Sequence, residues 1–300
     1  MHILLTGGTG LIGRGLCHLW AGQGHQLTVL SRTPERVAEL CGAKVRGIAA
    51  LAEVSDEPLD AVINLAGEPI ADKPWSSERK TLLWSSRIGL TEELVAWLGQ
   101  RAQKPAVLVS GSAVGWYGDG GERELAEDVP QVTNDFAAQL CNAWEEAAMR
   151  AEAQGIRVVL VRTGLVLANK QGFLKRLIPL YKMCMGGNVG SGRQWMPWVH
   201  LADEIGAIDF LMHHQSASGP YNVCSPHPVR NREFTYELAH ALSRFAVLPV
   251  PSIVLRMALG EMSGLLLAGQ RCVPQRLLDA GYKFRFTRLD VALADLLSSH

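Results

Sequence analysis

The chain has 300 residues, of which 48% are hydrophobic and 19% are charged, a composition typical of a soluble globular protein. Lysine plus arginine and aspartate plus glutamate both number 29, so the formal net charge is zero. The sequence has no segment dense enough in lysine and arginine to form a basic patch. We therefore expect neither nucleic acid nor a membrane as a partner.

Cysteine usage and apolar stretches predict the compartment. The six cysteines are scattered, without a Cys-x-x-Cys pair or histidines at metal-ligand spacing, which predicts reduced thiols and no metal site. The N-terminus lacks the pattern of a signal peptide, so we expect a cytoplasmic protein. The apolar stretch at 253–268 is interrupted by Arg256 and Glu261 and is shorter than the ~20 residues that a bilayer requires. It predicts a core helix.

The first half of the chain alternates short apolar runs with longer helical patterns. This alternation is typical of βαβ units and predicts an α/β fold, a Rossmann-type doubly wound parallel sheet with helices on both faces. The strands are predicted at residues 3–5, 27–30, 61–65, 106–109 and 158–161, and the helices between them at 11–21, 34–40, 77–98 and 134–153.

The pattern loosens after Gly164. Helices are predicted near 173–183, 203–213 and 231–243, with a glycine-rich segment at 186–192 and a helical tail broken by turns. No repeat or long linker separates this part from the first. The sequence therefore predicts a Rossmann domain at residues 1–165 and a smaller, mainly helical C-terminal cap at residues 166–300, whose last segment begins near residue 248.

A glycine-rich turn follows the first predicted strand and precedes the first predicted helix. It reads Gly7-Gly8-Thr9-Gly10-Leu11-Ile12-Gly13, with the spacing G-x-x-G-x-x-G. In a dinucleotide-binding loop the first glycine permits a tight turn, the second lets the backbone approach the pyrophosphate, and the third lets the helix pack on the strand. We therefore predict a dinucleotide here, with its phosphates at the helix N-terminus.

The end of the second predicted strand indicates which dinucleotide binds. An acidic residue there would accept the ribose hydroxyls of NAD, but this chain has Ser31 and Arg32. A guanidinium can bind a 2′-phosphate through two hydrogen bonds, and a serine hydroxyl can add a third. The pair favours NADP(H), with a solvated turn residue as the alternative interpretation of Arg32.

Several motifs together resemble a known family. They are G-G-T-G-L-I-G at 7–13, N-L-A-G at 64–67, S-G-S-A-V-G-W-Y-G at 110–118, and G-S-G-R-Q-W at 190–195 followed by W-V-H at 198–200. They resemble the extended short-chain dehydrogenase/reductase superfamily, and more narrowly its NAD-dependent epimerase/dehydratase-like branch of epimerase-family proteins. The tail, with L-P-V-P at 248–251 and G-Q-R at 269–271, is similar to the C-terminal domain of that branch.

The resemblance implies NADP(H) as the cofactor and a small-molecule substrate between the Rossmann domain and the cap. Homodimers are common among such proteins, and the sequence leaves the oligomeric state open. The alternative interpretation of Arg87 is a solvated helix residue, and that of Val166 is a core residue. The implied cofactor-binding residues are Gly7, Thr9, Gly10, Leu11, Ile12, Gly13, Ser31, Arg32, Leu65, Ala66, Gly67, Arg87 and Val166.

The proton-transfer dyad of that superfamily, Tyr-x-x-x-Lys on one helix face, is missing from this sequence. The helix predicted at 134–153 offers two alignments. One places Ala137 and Cys141 at the two positions, and the other places Phe136 and Leu140 there. Neither alignment supplies a tyrosine or a lysine.

The remaining candidates for catalysis are Ser112 and Tyr117. Ser112 lies five residues before Tyr117, one more than the usual spacing in the superfamily, and a match without a gap would place Ala113 there. Tyr117 has an alternative interpretation as part of a turn. An arginine that nucleotide-sugar enzymes aim at the substrate diphosphate is replaced by Met196, which argues against assuming a nucleotide sugar.

Two hypotheses follow. The first is an NADP(H)-binding oxidoreductase or epimerase-like enzyme for a small carbonyl or sugar-type substrate. The second is a catalytically weak or inactive NADP(H)-binding regulatory or interaction protein, because a fold alone does not fix an activity.

Overall fold

The computed structural model describes residues 1–54, 57–169 and 171–298. The strands are β1 (His2–Thr6), β2 (Gln26–Leu30), β3 (Arg46–Ile48), β4 (Ala61–Asn64), β5 (Val107–Ala113), β6 (Glu124–Leu125), β7 (Arg157–Thr163), β8 (Leu165–Ala168), β9 (Trp195–Met196), β10 (Trp198–His200), β11 (Gly219–Val223), β12 (Val229–Arg230) and β13 (Arg271–Cys272). The helices are α1 (Leu11–Gly22), α2 (Val37–Cys41), α3 (Ser77–Trp84), α4 (Leu90–Gln100), α5 (Phe136–Met149), α6 (Gly172–Lys182), α7 (Leu201–His213), α8 (Asn231–Ala241), α9 (Ser252–Leu259), α10 (Gly264–Leu267), α11 (Gln275–Asp279) and α12 (Leu289–Leu297).

The main sheet has, within the described residues, seven strands in the order β11-β7-β5-β4-β1-β2-β3. All of its neighbouring strands run parallel. The chain starts in the interior of the sheet, builds β2 and β3 on one side of β1, and then returns to place β4 on the other side. In such a sheet, ligands bind at the carboxyl ends of the strands where the order reverses. The predicted doubly wound Rossmann-type fold is confirmed.

Alternate residues of each strand pack on opposite faces of the sheet. Ile3 and Leu5 join a core with Trp20 of α1, whereas Leu4 joins the core on the other face with Leu94 of α4. Burying each such side chain contributes roughly 1.5–3 kcal/mol. Apolar side chains on both faces explain why the strands are almost continuously hydrophobic.

Two strands of the main sheet were not predicted from the sequence. β3 has only three residues and contains Gly47, and β11 begins Gly219-Pro220, which resembles a turn. β11 pairs with β7, so the main sheet itself extends beyond residue 165. The C-terminal part is mainly helical, as predicted, with a core in which α6, α8 and α12 contribute Leu174, Phe234 and Leu293.

The prediction of a core helix at 253–268 was wrong. The segment forms α9, a 3₁₀ turn (Gly260–Ser263) and α10, and Gly260 ends α9 with a φ of +56°. Ile253 is 66% exposed and Met257 is 83% exposed. A glycine with positive φ terminates a helix, and α9 and α10 contain no buried residue, whereas Met262 and Ser263 of the 3₁₀ turn are buried. In the described residues, no helix is long and apolar enough to cross a membrane.

Candidate functional site

The glycine loop lies at the carboxyl end of β1 and folds tightly against the end of β4. Gly7 has a φ of +71°, and a Cβ on it would stand 2.6 Å from the main-chain carbon of Leu65. A Cβ on Gly13 would stand 2.3 Å from the carbonyl oxygen of Gly7. Gly7 therefore serves the turn and Gly13 the packing of α1 on the loop, as the sequence predicts.

Gly10 occupies a different position, at the start of α1 and on the outer side of the loop. It is the N-cap residue, and a Cβ on it would have only the carbonyl oxygen of Gly7 as a near neighbour, at 3.2 Å. Neither a side-chain cap nor an acidic residue is found in the first turn of α1 among the residues described. Free helix amides beside an open backbone surface suit an anion such as a pyrophosphate.

The ends of β1, β4 and β5 are joined by a buried hydrogen-bond network. The hydroxyl of Thr6 donates to the side-chain oxygen of Asn64 at 2.7 Å, and the Asn64 amide donates to Thr91 and Ser110. The backbone N–H of Ala66 in turn donates to the Thr6 hydroxyl at 3.2 Å. This network fixes the 64–67 turn, and with it Leu65, Ala66 and Gly67, beside the glycine loop.

The residues predicted to bind the adenosine ribose lie at the end of β2. The Ser31 hydroxyl accepts a hydrogen bond from the backbone N–H of Thr33 at 3.1 Å. The side chain of Arg32 is 91% exposed, and its Nη1 donates to the carboxylate of Glu68 at 2.9 Å. A carboxylate therefore lies next to Arg32, which sequence inspection missed because Glu68 comes from the loop after β4 and approaches through the fold.

Arg87 points toward the turn after β4. Its Nη2 donates to the carbonyl oxygen of Glu68 at 2.9 Å, and its guanidinium lies over the ring of Trp144. The predicted helix at 77–98 is interrupted by a π-helical turn (Ser85–Gly89) that contains Arg87. Such turns are frequent at functional sites, and this one helps place Arg87 against the turn after β4.

Val166 and the start of α6 lie close to Leu11 at the start of α1. Val166 pairs with Val199 in the two-stranded sheet of β8 and β10, and its side chain packs against the main core. A Cβ on Gly172 would lie 3.2 Å from the Leu11 side chain and 3.8 Å from the carbonyl oxygen of Val166. The structure thus brings Val166 close to the start of α1. Its contact with the nicotinamide stays a prediction.

Helix α5 shows which residues replace the missing dyad. A Cβ on Gly115, in the 3₁₀ turn (Val114–Tyr117) after β5, would contact Ala137 at 3.8 Å and the Cys141 sulfur at 3.9 Å. Phe136 and Leu140 pack instead in a separate apolar cluster. The sequence left two alignments open. The residues of the first one, Ala137 and Cys141, face the turn after β5.

Ser112 and Tyr117 lie in one buried polar network. The Ser112 hydroxyl donates to Glu145 at 2.6 Å, and Arg162 binds both carboxylate oxygens of Glu145 at 2.8 Å. Arg162 also donates to the Tyr117 hydroxyl at 3.1 Å, and that hydroxyl lies 3.0 Å from the amide oxygen of Asn222. The structure brings the two hydroxyls together through Arg162, but in the interior and with partners of their own.

Burial changes the acidity of Tyr117. Its side chain is fully buried, and burial raises the pKa of its hydroxyl above the ordinary value, although Arg162 acts in the opposite direction. The hydroxyl therefore stays protonated at neutral pH.

The residues that hold this network, Glu145 and Arg162, were not singled out from the sequence, because residues 17 positions apart meet only once α5 packs on β7.

Across the ranges 1–54, 57–169 and 171–298, no group of three or more histidine, cysteine, aspartate or glutamate residues could hold a metal ion.

Comparison with known proteins gives two family matches. The model of the NAD dependent epimerase/dehydratase family matches residues 3–224, and the model of a domain of unknown function (DUF1731) matches residues 250–296. Epimerase family protein YfhF of Bacillus subtilis (strain 168) is 36% identical over 300 residues, 99% of this chain and 98% of that protein. Epimerase family protein ML0860 of Mycobacterium leprae (strain TN) is 38% identical over 295 residues, 97% of this chain and 94% of that protein.

Two solved structures match nearly the whole of this chain. The crystal structure of human epimerase family protein SDR39U1 (isoform2) with NADPH superposes with a TM-score of 0.90 at 31% identity, covering 100% of both chains. The nucleoside-diphosphate sugar epimerase from Corynebacterium glutamicum gives a TM-score of 0.77 at 28% identity, over 99% of this chain and 58% of that one. The first of these two structures contains the cofactor that Ser31 and Arg32 predict here.

Proposed function

Since the chain belongs to the NAD dependent epimerase/dehydratase family, we propose that it binds NADP(H) and acts as an oxidoreductase or epimerase-like enzyme. The proposed substrate is a small carbonyl or sugar-type molecule in the cleft between the Rossmann sheet and the helical cap. When bound, the nicotinamide would supply or accept hydride.

The observation that carries the cofactor proposal is the open backbone surface at Gly10. The start of α1 offers free amides there, whereas the space that a side chain would need at Gly7 or Gly13 is filled by neighbouring backbone. Leu65, Ala66 and Gly67 would line the middle of the cofactor, and Ser31 with Arg32 would bind its 2′-phosphate. The NADPH in the human neighbour supports the same cofactor.

Ser112 and Tyr117 are the proposed hydrogen-bond donors for catalysis. Each hydroxyl already has a buried partner, so a substrate oxygen would compete with the Glu145 carboxylate or the Asn222 amide. Losing efficient general acid-base help typically slows a reaction by roughly 10²- to 10⁴-fold. We therefore propose a slow enzyme. The same observation favours the second candidate, an NADP(H)-binding regulatory or interaction protein.

The compartment and assembly are also proposals. A cytoplasmic location is supported by the six cysteines, all of which are free. The proposed assembly is a homodimer, which analytical ultracentrifugation would test directly.

A binding and turnover experiment tests the function. Calorimetry should show tight NADPH binding, and a screen of sugars, sugar nucleotides, aldehydes and quinones should show slow NADPH oxidation. Ser112→Ala and Tyr117→Phe should each lower that rate while barely changing NADPH affinity. Fast turnover that ignores both substitutions would show that the catalytic groups lie elsewhere. No turnover, with capture of a protein partner only in the NADPH-bound form, would favour the regulatory candidate.

A further inference from the structure

Glu68 makes four hydrogen bonds in the structure, two through its backbone and two through its carboxylate. Its backbone N–H donates to the hydroxyl of Ser86 at 3.1 Å, and its carbonyl oxygen accepts from Arg87 at 2.9 Å. One carboxylate oxygen accepts from Arg79 at 3.4 Å, and the other accepts from Arg32 at 2.9 Å. Three of these four partners come from the helical segment at 79–87, so Glu68 keeps two backbone contacts and one carboxylate contact that do not involve Arg32.

The bond between Glu68 and Arg32 lies at the proposed adenosine end of the cofactor site. Arg32 follows β2 and Glu68 follows β4, and the two strands flank β1, whose carboxyl end leads into the glycine loop. The side chain of Glu68 is 18% exposed, whereas that of Arg32 is 91% exposed. The carboxylate is therefore the fixed partner, and the guanidinium is the one that can turn toward a ligand.

The position of Glu68 leads to a conclusion about selectivity that rests on the proposed function. We propose that Glu68 is a specificity-determining residue of the cofactor site, whose carboxylate weakens the preference for a 2′-phosphate and accepts the ribose hydroxyls of the unphosphorylated dinucleotide. Arg32 favours NADP(H), and Glu68 sets a limit on that preference.

Two effects of the Glu68 carboxylate both lower the preference for NADPH over NADH. A phosphate bound by Arg32 lies within a few ångströms of a second negative charge, which repels it and also competes for the guanidinium. A ribose 2′-hydroxyl carries no charge and can donate to the same carboxylate. Arg79, 9% exposed on its side chain, contacts the carboxylate and offsets part of its electrostatic field, and the carboxylate still acts as an acceptor.

Glu68→Gln tests this proposal, because glutamine keeps the shape and removes the charge. The ratio of the NADH dissociation constant to the NADPH dissociation constant, measured by fluorescence titration, should rise by about three- to tenfold. The increase in NADPH affinity should shrink in high salt, because screening weakens charge repulsion and leaves a merely structural effect unchanged.

Two control variants accompany the test. Glu68→Asp keeps the charge, so its ratio should stay near that of the wild type. Glu92→Gln removes the carboxylate of a remote exposed ion pair, Arg150 with Glu92, and should leave the ratio unchanged. If Glu68→Gln changes the ratio by less than twofold or lowers it, the selectivity proposal is overturned while NADP(H) binding stands. If the wild type binds neither dinucleotide, the proposed function fails as well.

Discussion

Gly10 and Gly13 lie three residues apart in one loop, but a side chain would meet different surroundings at each. At Gly13 it would collide with the backbone of Gly7 and Gly8, whereas at Gly10 it would extend over the outer face of the loop. Gly10→Val should therefore abolish NADPH binding in a folded protein, and Gly13→Val should also lower the melting temperature. Calorimetry and thermal denaturation of both variants measure the two effects. Normal NADPH binding by Gly10→Val would place the phosphates elsewhere.

Arg32 is the residue on which the choice of cofactor depends. Arg32→Asp replaces a charge-assisted contact with repulsion, and with Glu68 it would put two carboxylates at the ribose site. NADPH affinity should fall by at least about tenfold, while NADH affinity should change less. Titration calorimetry with both dinucleotides measures the ratio. A wild type that prefers NADH would contradict the assignment of Arg32.

Much of the site was predictable at the level of residues because its motifs are local. The glycine loop, the 64–67 turn and the family were found from short motifs, and the family is confirmed by the match over residues 3–224. Glu68 and Glu145 were missed because their partners lie far along the chain, at Arg32 and Arg162. Sequence spacing does not encode such pairs, which form only when strands and helices assemble.

The ion pair of Glu145 and Arg162 joins helix α5 to strand β7, and the hydrogen bond from Ser112 to Glu145 adds strand β5. The side chains are 8% and 3% exposed, so removing one charge leaves the other buried without its partner. Glu145→Gln should lower the free energy of unfolding by about 3 kcal/mol.

A matched variant separates this effect from a simple loss of charge. Glu92→Gln breaks an exposed pair with Arg150 and should cost less than about 1 kcal/mol. Urea denaturation of both variants gives the comparison. Equal losses in the two variants would mean that the buried pair does not link α5 to the sheet as the structure indicates.

Elements with a long apolar pattern were predictable, and elements defined by their neighbours were not. Helix α1 was expected at 11–21 and spans Leu11–Gly22, and β7 was expected at 158–161 and spans Arg157–Thr163. The edge strands β3 and β11 were missed because pairing with β2 and β7 determines them, not their composition. The segment at 253–268 was misjudged because hydrophobic content predicted burial, whereas Gly260 broke the helix.

The stability of the whole molecule should depend on pH through Glu204. This carboxyl group on α7 accepts a hydrogen bond from Thr163 at 2.7 Å, and its other oxygen has no partner in the part of the chain that the structure describes. Burial raises the pKa of Glu204 from 4.5 to about 8. The folded protein thus keeps a proton that the unfolded chain releases at lower pH.

The sign of the effect follows from this difference. The contribution of Glu204 to stability is fully present below pH 4.5 and is lost as the pH rises toward 8. Glu204→Gln should therefore flatten the fall in melting temperature between pH 5 and pH 8, as measured by thermal denaturation in a buffer series. Glu146→Gln, at an exposed position of α5, is the control and should keep the wild-type slope. An unchanged slope for Glu204→Gln would contradict the raised pKa.

The π-helical turn at Ser85–Gly89 makes the orientation of Arg87 depend on chain length as well as on residue type. A π turn holds one residue more than an α turn, so removing one residue before Arg87 would restore regular winding and turn the Arg87 side chain about the helix axis. The Arg87 guanidinium would then leave the carbonyl oxygen of Glu68, although every motif residue would still be present. Two chains with identical motifs but different lengths in this segment would therefore hold this arginine differently beside the turn after β4.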